Sequence, residues 1–175
     1  VTDTIHTPPD RTSFRKPRAS DGSDIWALVR ACKPLDENSM YCNLLQCDHF
    51  ADSCILAERD GRPVGWISGY LRPGAPDTLF VWQVAVHPDA RGLGLGSRML
   101  DALLARDEMK PVRQLQTTIT RDNAPSWALF RSLAARHGSE LSETPHFTQD
   151  RHFAGAAPTE HMVTIPLGAA MARVA

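Results

Sequence analysis

Residues Val86–Leu100 read VHPDARGLGLGSRML. Glycines occupy alternate positions, Gly92, Gly94 and Gly96, between an apolar strand-like run, TLFVWQVAV over Thr78–Val86, and a helical stripe of Met99, Leu100, Leu103 and Leu104. Glycine carries no Cβ, so a backbone built from it can turn sharply and aim successive N–H groups into one concavity. The helix that follows contributes unpaired N–H groups and the positive end of its dipole. Together these make an anion site suited to a diphosphate. Arg91 adds a charge able to pair with a phosphate. Two nucleotide fingerprints fail here. The P-loop needs a lysine that does not follow, and G-x-G-x-x-G would put Ser97 in the third glycine's place and should open the domain. The plain alternative is a glycine-rich turn at a strand–helix junction.

Outward from this stretch the pattern alternates between strand and helix periods. SCILAER and PVGWISGYL flank Asp60-Gly61 and read as a hairpin. Arg72–Asp77 is a turn, and the near-continuous apolarity of TLFVWQVAV predicts a central strand. Upstream, Thr12–Arg18 reads as a first strand. A helix is expected over Asp24–Cys32, with Ile25, Trp26, Leu28 and Val29 on its apolar side and Pro34 as its stop. A second helix is expected over Asn38–Phe50, with Tyr41, Leu44, Leu45 and Asp48 on one face and Asp36 or Asn38 as cap. Downstream, RQLQTTIT alternates as a strand. Asn123-Ala124-Pro125 opens a helix whose Trp127, Phe130, Leu133 and Ala134 face inward and which ends at His137-Gly138. Glu143–Pro158 reads as irregular and His161–Leu167 as a strand. The order β-α-α-β-β-β-α-β-α-β-β predicts an α+β, or mixed α/β, layout. One domain over residues 12–167 is expected, with tails at 1–11 and 168–175.

Composition narrows the partners. With 19 Lys+Arg against 20 Asp+Glu, the chain lacks the basic excess of a nucleic-acid binder. No apolar run approaches a membrane span, and the first residues carry no apolar core of a secretory signal. Cys32, Cys42, Cys47 and Cys54 form no C-x-x-C, and only His49 lies among them. They read as reduced, core-filling thiols rather than a metal site, which points to a cytoplasmic compartment.

The stretch VWQVAVHPDARGLGLGSRMLDALL resembles motif A of the GNAT superfamily of acyl-CoA N-acyltransferases. Arg91, Gly94 and Gly96 match its core pattern, [Q/R]-x-x-G-x-[G/A]. NAPSWALF, Asn123–Phe130, resembles the next block of that superfamily. The resemblance implies a central mixed, mostly antiparallel sheet of about seven strands flanked by about four helices. It implies acetyl-CoA as cosubstrate and no metal. Its diphosphate would lie on Arg91, Gly92, Leu93, Gly94, Leu95, Gly96 and Ser97, and its pantetheine arm against the backbone of Val84, Ala85 and Val86. Asn123, Ser126 and Phe130 would flank that arm. Three separated blocks, LDENSMYCNLLQCDHF, LFVWQVAV and PTEHMVTIPL, resemble one branch of the superfamily, the L-2,4-diaminobutyrate acetyltransferases of ectoine biosynthesis. That resemblance implies acetyl transfer to the side-chain amine of L-2,4-diaminobutyrate, an osmoprotective pathway and a homodimer.

A small diamino acid needs carboxylates for its ammonium groups and donors for its carboxylate. Asp36 is one candidate, with helix capping as its alternative role. Asn38, Ser39 and Tyr41 offer short polar contacts. Trp82 could floor a cleft and face an ammonium through its ring, or fill the core. Glu160 and its neighbour His161 open the last strand; on local sequence alone Glu160 is a surface charge, and the resemblance makes it a substrate ligand or base. An alkylammonium with a pKa near ~10 has no lone pair at neutral pH, so the site must remove a proton. Glu160 is the first choice for that base and Asp36 the second. Many GNAT members carry a tyrosine where this chain has Phe130, which has no proton to give; Tyr41 is the substitute acid, or the thiolate leaves unaided. Two other readings share the glycine loop: a GNAT enzyme for another small amine, and a catalytically silent acyl-CoA-binding sensor.

Overall fold

A computed structural model describes residues 11–168; apart from Arg11 and Gly168, the expected tails at 1–11 and 168–175 lie outside the described residues. Seven strands form one sheet: β1 (Ser13–Arg15), β2 (Ile55–Arg59), β3 (Arg62–Arg72), β4 (Ala75–Val86), β5 (Gln114–Thr120), β6 (Ser142–Phe147) and β7 (Glu160–Pro166). The helices are α1 (Gly22–Ala31), α2 (Met40–His49), α3 (Leu95–Leu104), α4 (Ala124–Arg136) and a single turn, α5 (Gln149–His152). The sheet order is β1-β2-β3-β4-β5-β7-β6, mixed and mostly antiparallel as expected.

All neighbours are antiparallel except β4 and β5, which run parallel and pair only over Thr78–Phe80 against Gln114–Gln116. Beyond Phe80 the two strands have no mutual register, and the sheet opens at its centre. A bulge marks the departure. Ser68 of β3 faces Gln83 and Gly69 faces Val81, which leaves Trp82 as an extra residue in β4. An inserted residue bends its strand and increases the local twist.

Alternation sends the side chains of this sheet to two cores. On one face Ile67, Leu79, Val81, Leu115, Val163 and Ile165 pack against Met99, Leu100 and Leu103 of α3 and Phe130 and Leu133 of α4. On the other, Leu56, Trp66 and Ala85 pack with Ile25, Leu28 and Val29 of α1 and Cys47 of α2. These buried side chains contribute about 1.5–3 kcal/mol each relative to exposure. Cys32, Cys47 and Cys54 belong to this second core, where burial pushes the Cys47 and Cys54 thiols up to about 12.

Three expectations need correction. Helix α2 does not bury the face of Tyr41 and Asp48; Asn43, Gln46 and Cys47 go inward. Asn43 Nδ2 donates to Gln46 Oε1 at 3.0 Å, so this polar pair travels into the core as a unit, which an apolar-periodicity argument overlooks. The segment 143–158 is not irregular throughout: β6 pairs with β7 over its length. Its Pro145 obscured the strand, and an edge position is where proline is tolerated. Helix α1 begins at Gly22 rather than Asp24, because a 3-10 turn over Ala19–Asp21 runs directly into it; the Asp21 carboxylate bonds Arg15 at 2.7 Å and does not cap the helix.

Candidate active site

Two halves of a cleft meet at the opening between β4 and β5. The first is main chain. His87 donates its N–H to the Val64 carbonyl, so residues 85 and 87 turn their backbone groups toward β3. Strand alternation then aims those of Val84 and Val86 into the opening. The Val86 carbonyl accepts from Arg91 Nε at 3.2 Å, which ties the end of β4 to the start of the glycine loop. Ala85 therefore cannot offer main-chain groups to a ligand in the opening, as was expected of it; it is paired with Trp66 of β3 and its methyl is buried in the α1–α2 core.

Below Val86 the chain makes one short turn, Pro88–Ala90, and enters the glycine loop. Gly92 and Gly94 have φ of +77° and +65°, the left-handed region that favours glycine. Gly94 directly precedes α3, and the first intrahelical bond runs from Arg98 N to Gly94 O. The N–H groups of Leu95, Gly96 and Ser97 thus have no intrahelical partner, at the positive end of a ten-residue helix. Leu95 buries its side chain in the core while its N–H stays in this first turn; Leu93 is exposed. Gly96 serves a different purpose. A Cβ there would meet Leu129 at 3.5 Å and Val84 at 3.9 Å, ordinary contact distances, so these two side chains border Gly96 where α3 faces α4 and β4. Leu129 is a lining residue that motif reading did not single out. In α4, Asn123 Oδ1 accepts from Ser126 N, which caps the helix that walls the groove. Phe130 is 2% exposed and faces the core, so it supports that wall from behind rather than lining it.

The second half is built of side chains on the opposite sheet face. Asp36 is exposed and does not cap α2; Ser39 does, its Oγ accepting from Cys42 N at 3.1 Å. Ser39 Oγ thus serves as the cap acceptor and keeps its hydroxyl proton to donate. Gln83 of β4 donates from Nε2 to the Asp36 carbonyl at 2.7 Å and accepts from Asn38 Nδ2 at 3.3 Å. This buried glutamine ties the loop before α2 to the central strand and so fixes where Asp36 stands. It was detectable as the lone polar side chain inside the apolar run of β4. Trp82, the bulged residue, is 48% exposed and not a core tryptophan. Tyr41 is 68% exposed on the first turn of α2.

Glu160 is half-buried at the start of β7. Burial raises its pKa above the usual carboxylate value; a hydrogen bond from Thr118 opposes this, and the negative charge of Asp36 raises it further. The structure thus brings Asp36 and Glu160 close enough to sense one another. His161 does not join them. It pairs with Ile119, points to the other face and is 5% exposed, because neighbours on a strand face opposite ways.

The acetyltransferase (GNAT) family model matches residues 23–134 of this chain. The chain is 46% identical over 160 residues to the L-2,4-diaminobutyric acid acetyltransferase of Vibrio parahaemolyticus, covering 91% of this chain and 88% of the relative. It is 47% identical over 153 residues to that of Halomonas elongata, covering 87% and 79%. Among solved structures it is similar to the diaminobutyrate acetyltransferase of Paenibacillus lautus in complex with L-2,4-diaminobutyric acid and coenzyme A. That match has a TM-score of 0.85 at 35% identity over 89% of this chain and 95% of the other. The ribosomal-protein-S18-alanine N-acetyltransferase of Escherichia coli shares the fold at 17% identity, with a TM-score of 0.63 over 94% of this chain and 99% of the other. The chain belongs to the GNAT acetyltransferase family and, within it, to the L-2,4-diaminobutyric acid acetyltransferases.

Proposed function

We propose that this enzyme transfers the acetyl group of acetyl-CoA to the side-chain (N4) amine of L-2,4-diaminobutyrate. The observation that carries the reading is the convergence of Asp36 and Glu160 at the open half of β4, beside a main-chain anion site at Gly92–Ser97. The relatives from Vibrio and Halomonas are named L-2,4-diaminobutyric acid acetyltransferases, and the Paenibacillus enzyme was solved with that amino acid and coenzyme A. The described residues hold no group of three or more His, Cys, Asp or Glu side chains placed for a metal ion, and direct amine attack needs none.

In this reading the N–H groups of the glycine loop and of the first turn of α3 hold the diphosphate, with Arg91 alongside. Val84 and Val86 pair with the amides of the pantetheine arm as a neighbouring strand would. The Val84 N–H polarises the thioester oxygen as negative charge develops there. Glu160 is the base. Its burial keeps the carboxylate more basic than an exposed one, so it accepts the ammonium proton more readily. The freed amine attacks the thioester carbon, the C–S bond breaks, the nitrogen sheds its second proton to solvent as the amide forms, and the thiolate takes up a proton from Tyr41 or from water. Asp36 holds the positive end of the substrate and is the second choice for the base. Trp82 walls the cleft, and Asn38 keeps its place through Gln83.

None of the helices in the described residues is long and apolar enough to cross a membrane. A cytoplasmic homodimer supplying the precursor of an osmoprotective solute is consistent with the reading. Consumption of acetyl-CoA measured with diaminobutyrate, ornithine, lysine and diaminopropionate tests it. Diaminobutyrate is expected to give the highest kcat/KM, with a product whose NMR spectrum places the acetyl group on N4. Equal turnover of the longer or shorter homologues, or acetylation at the α-amine, contradicts it.

A further inference from the structure

We propose that Arg72, at the end of β3, anchors the α-carboxylate of the amino-acid substrate and so discriminates a diamino acid from a plain diamine. This rests on the diaminobutyrate reading above and names the group of this chain that recognises the acid end.

Arg72 lies on the same sheet face as Asp36 and Glu160. Its Nη1 donates to Gln116 Oε1 at 2.7 Å, and Gln116 Nε2 donates in turn to the Thr164 hydroxyl at 3.1 Å. This chain crosses from β3 over β4 to β5 and β7, so it fixes the guanidinium above the sheet near Phe80, the cross-strand neighbour of Gln116. Every partner in it is neutral. Among the described residues Arg72 forms no ion pair, whereas Arg15 and Arg136 are matched to carboxylates. A guanidinium has five N–H donors in a planar fork that suits a carboxylate. One of the five is occupied here, and a neutral glutamine leaves the charge unmatched.

The register supplies the spacing. Glu160 stands opposite Thr120 in the β5–β7 pair, and Arg72 bonds Gln116. Thr120 and Gln116 lie four apart on β5 and share a face, roughly 13 Å along the strand. A four-carbon diamino acid with a hydrogen bond at each end spans a distance of that order, its side-chain ammonium at Glu160 and its carboxylate at Arg72. The charges also match. The substrate brings two ammonium groups and one carboxylate; Asp36, Glu160 and Arg72 present two negative charges and one positive. Tyr70 and Phe80, with ring centroids 5.2 Å apart, lie beside Arg72 and offer an apolar wall for the methylenes.

The test compares L-2,4-diaminobutyrate with 1,3-diaminopropane, the same diamine without the carboxylate, in wild type, Arg72→Gln and Arg72→Lys. Wild type is expected to prefer diaminobutyrate. In Arg72→Gln the KM for diaminobutyrate should rise about 10- to 100-fold, as expected for a lost charged hydrogen bond. Its kcat should stay within a few-fold, and kcat/KM for 1,3-diaminopropane should be unchanged or higher. Arg72→Lys, which keeps the charge without the fork, should fall between, and it serves as the readout where the glutamine variant does not fold. A purely bracing role for Arg72 would lower both substrates together, and an unchanged substrate ratio in both variants overturns the anchor. Wild type that acetylates both substrates equally well also overturns it and leaves amine acetylation standing. Wild type that acetylates neither overturns the reading beneath, and the anchor with it.

Discussion

The two ends of this cleft are made of different material. In the proposed reading the cosubstrate end is main chain: Val84 and Val86 beside an unpaired stretch of strand, then Gly92–Ser97, all within one run of fewer than twenty residues. The amine end proposed here is side chain: Asp36 from a loop, Trp82 and Gln83 from β4, Thr118 from β5 and Glu160 from β7. Main-chain sites recognise what every acyl-CoA shares, a diphosphate and a pair of amides. They need only a backbone conformation, which a contiguous stretch can encode. Side-chain sites recognise what differs between amines, and they require the whole sheet to bring distant residues together.

That division makes separable predictions. The largest effect is expected at the amine end. Glu160→Gln should lower kcat about 10²- to 10⁴-fold, the usual worth of a general base. The KM for acetyl-CoA should stay nearly constant in steady-state kinetics. A comparable loss of coenzyme A affinity would erase the distinction between the two ends. Gly94→Val attacks the other side. A β-branched residue at φ +65° costs about 1–3 kcal/mol and disturbs the start of α3. Acetyl-CoA affinity should fall about 10- to 100-fold by calorimetry, with the KM for the amine little changed.

The pH profile sharpens the amine end further. Burial favours the neutral form of Glu160, so its pKa lies above the usual 4.5. The base must be ionised to work, so kcat/KM should fall as pH drops through that raised value. The acid limb should therefore sit higher than for an exposed carboxylate and disappear in Glu160→Gln.

The smallest effect is a control remote from both ends. Arg15 is forked between Asp21 and Glu58, at 2.7 Å to each, and holds both carboxyls below their ordinary values. Carboxyls with depressed pKa values stabilise the fold above their unfolded pKa of about 4, and that stability is lost as pH falls. Arg15→Ala should cost about 1–2 kcal/mol in urea unfolding near pH 7, and less below pH ~4, with both KM values unchanged.

This same division governed what the sequence revealed. The alternating glycines and the apolar run before them disclose the turn and the free N–H groups at the start of α3 without knowledge of the fold, because both are local facts. The seven-strand layout was also legible, except where Pro145 disguised an edge strand and where Asn43 and Gln46 went inward as a bonded pair. At the amine end, Asp36 and Glu160 stood out only through family likeness; nothing local joins positions 124 residues apart. His161 was grouped with Glu160 by adjacency, and strand alternation separates them. Thr118 and Arg72 had no local signal, since their roles arise from pairing across β4, β5 and β7. Ala85 was misread because backbone direction depends on which residues of β3 and β4 exchange hydrogen bonds, here fixed by His87 and Val64.

A crystal structure of the enzyme with coenzyme A tests the central claim most directly. The diphosphate should lie on the N–H groups between Gly92 and Ser97, with the pantetheine arm in the opening between Val81–Val86 and Thr117–Thr120, its amides bonded to Val84 and Val86. A diphosphate seated away from the glycine loop, or a β4–β5 opening that closes into a continuous parallel ladder, would contradict it.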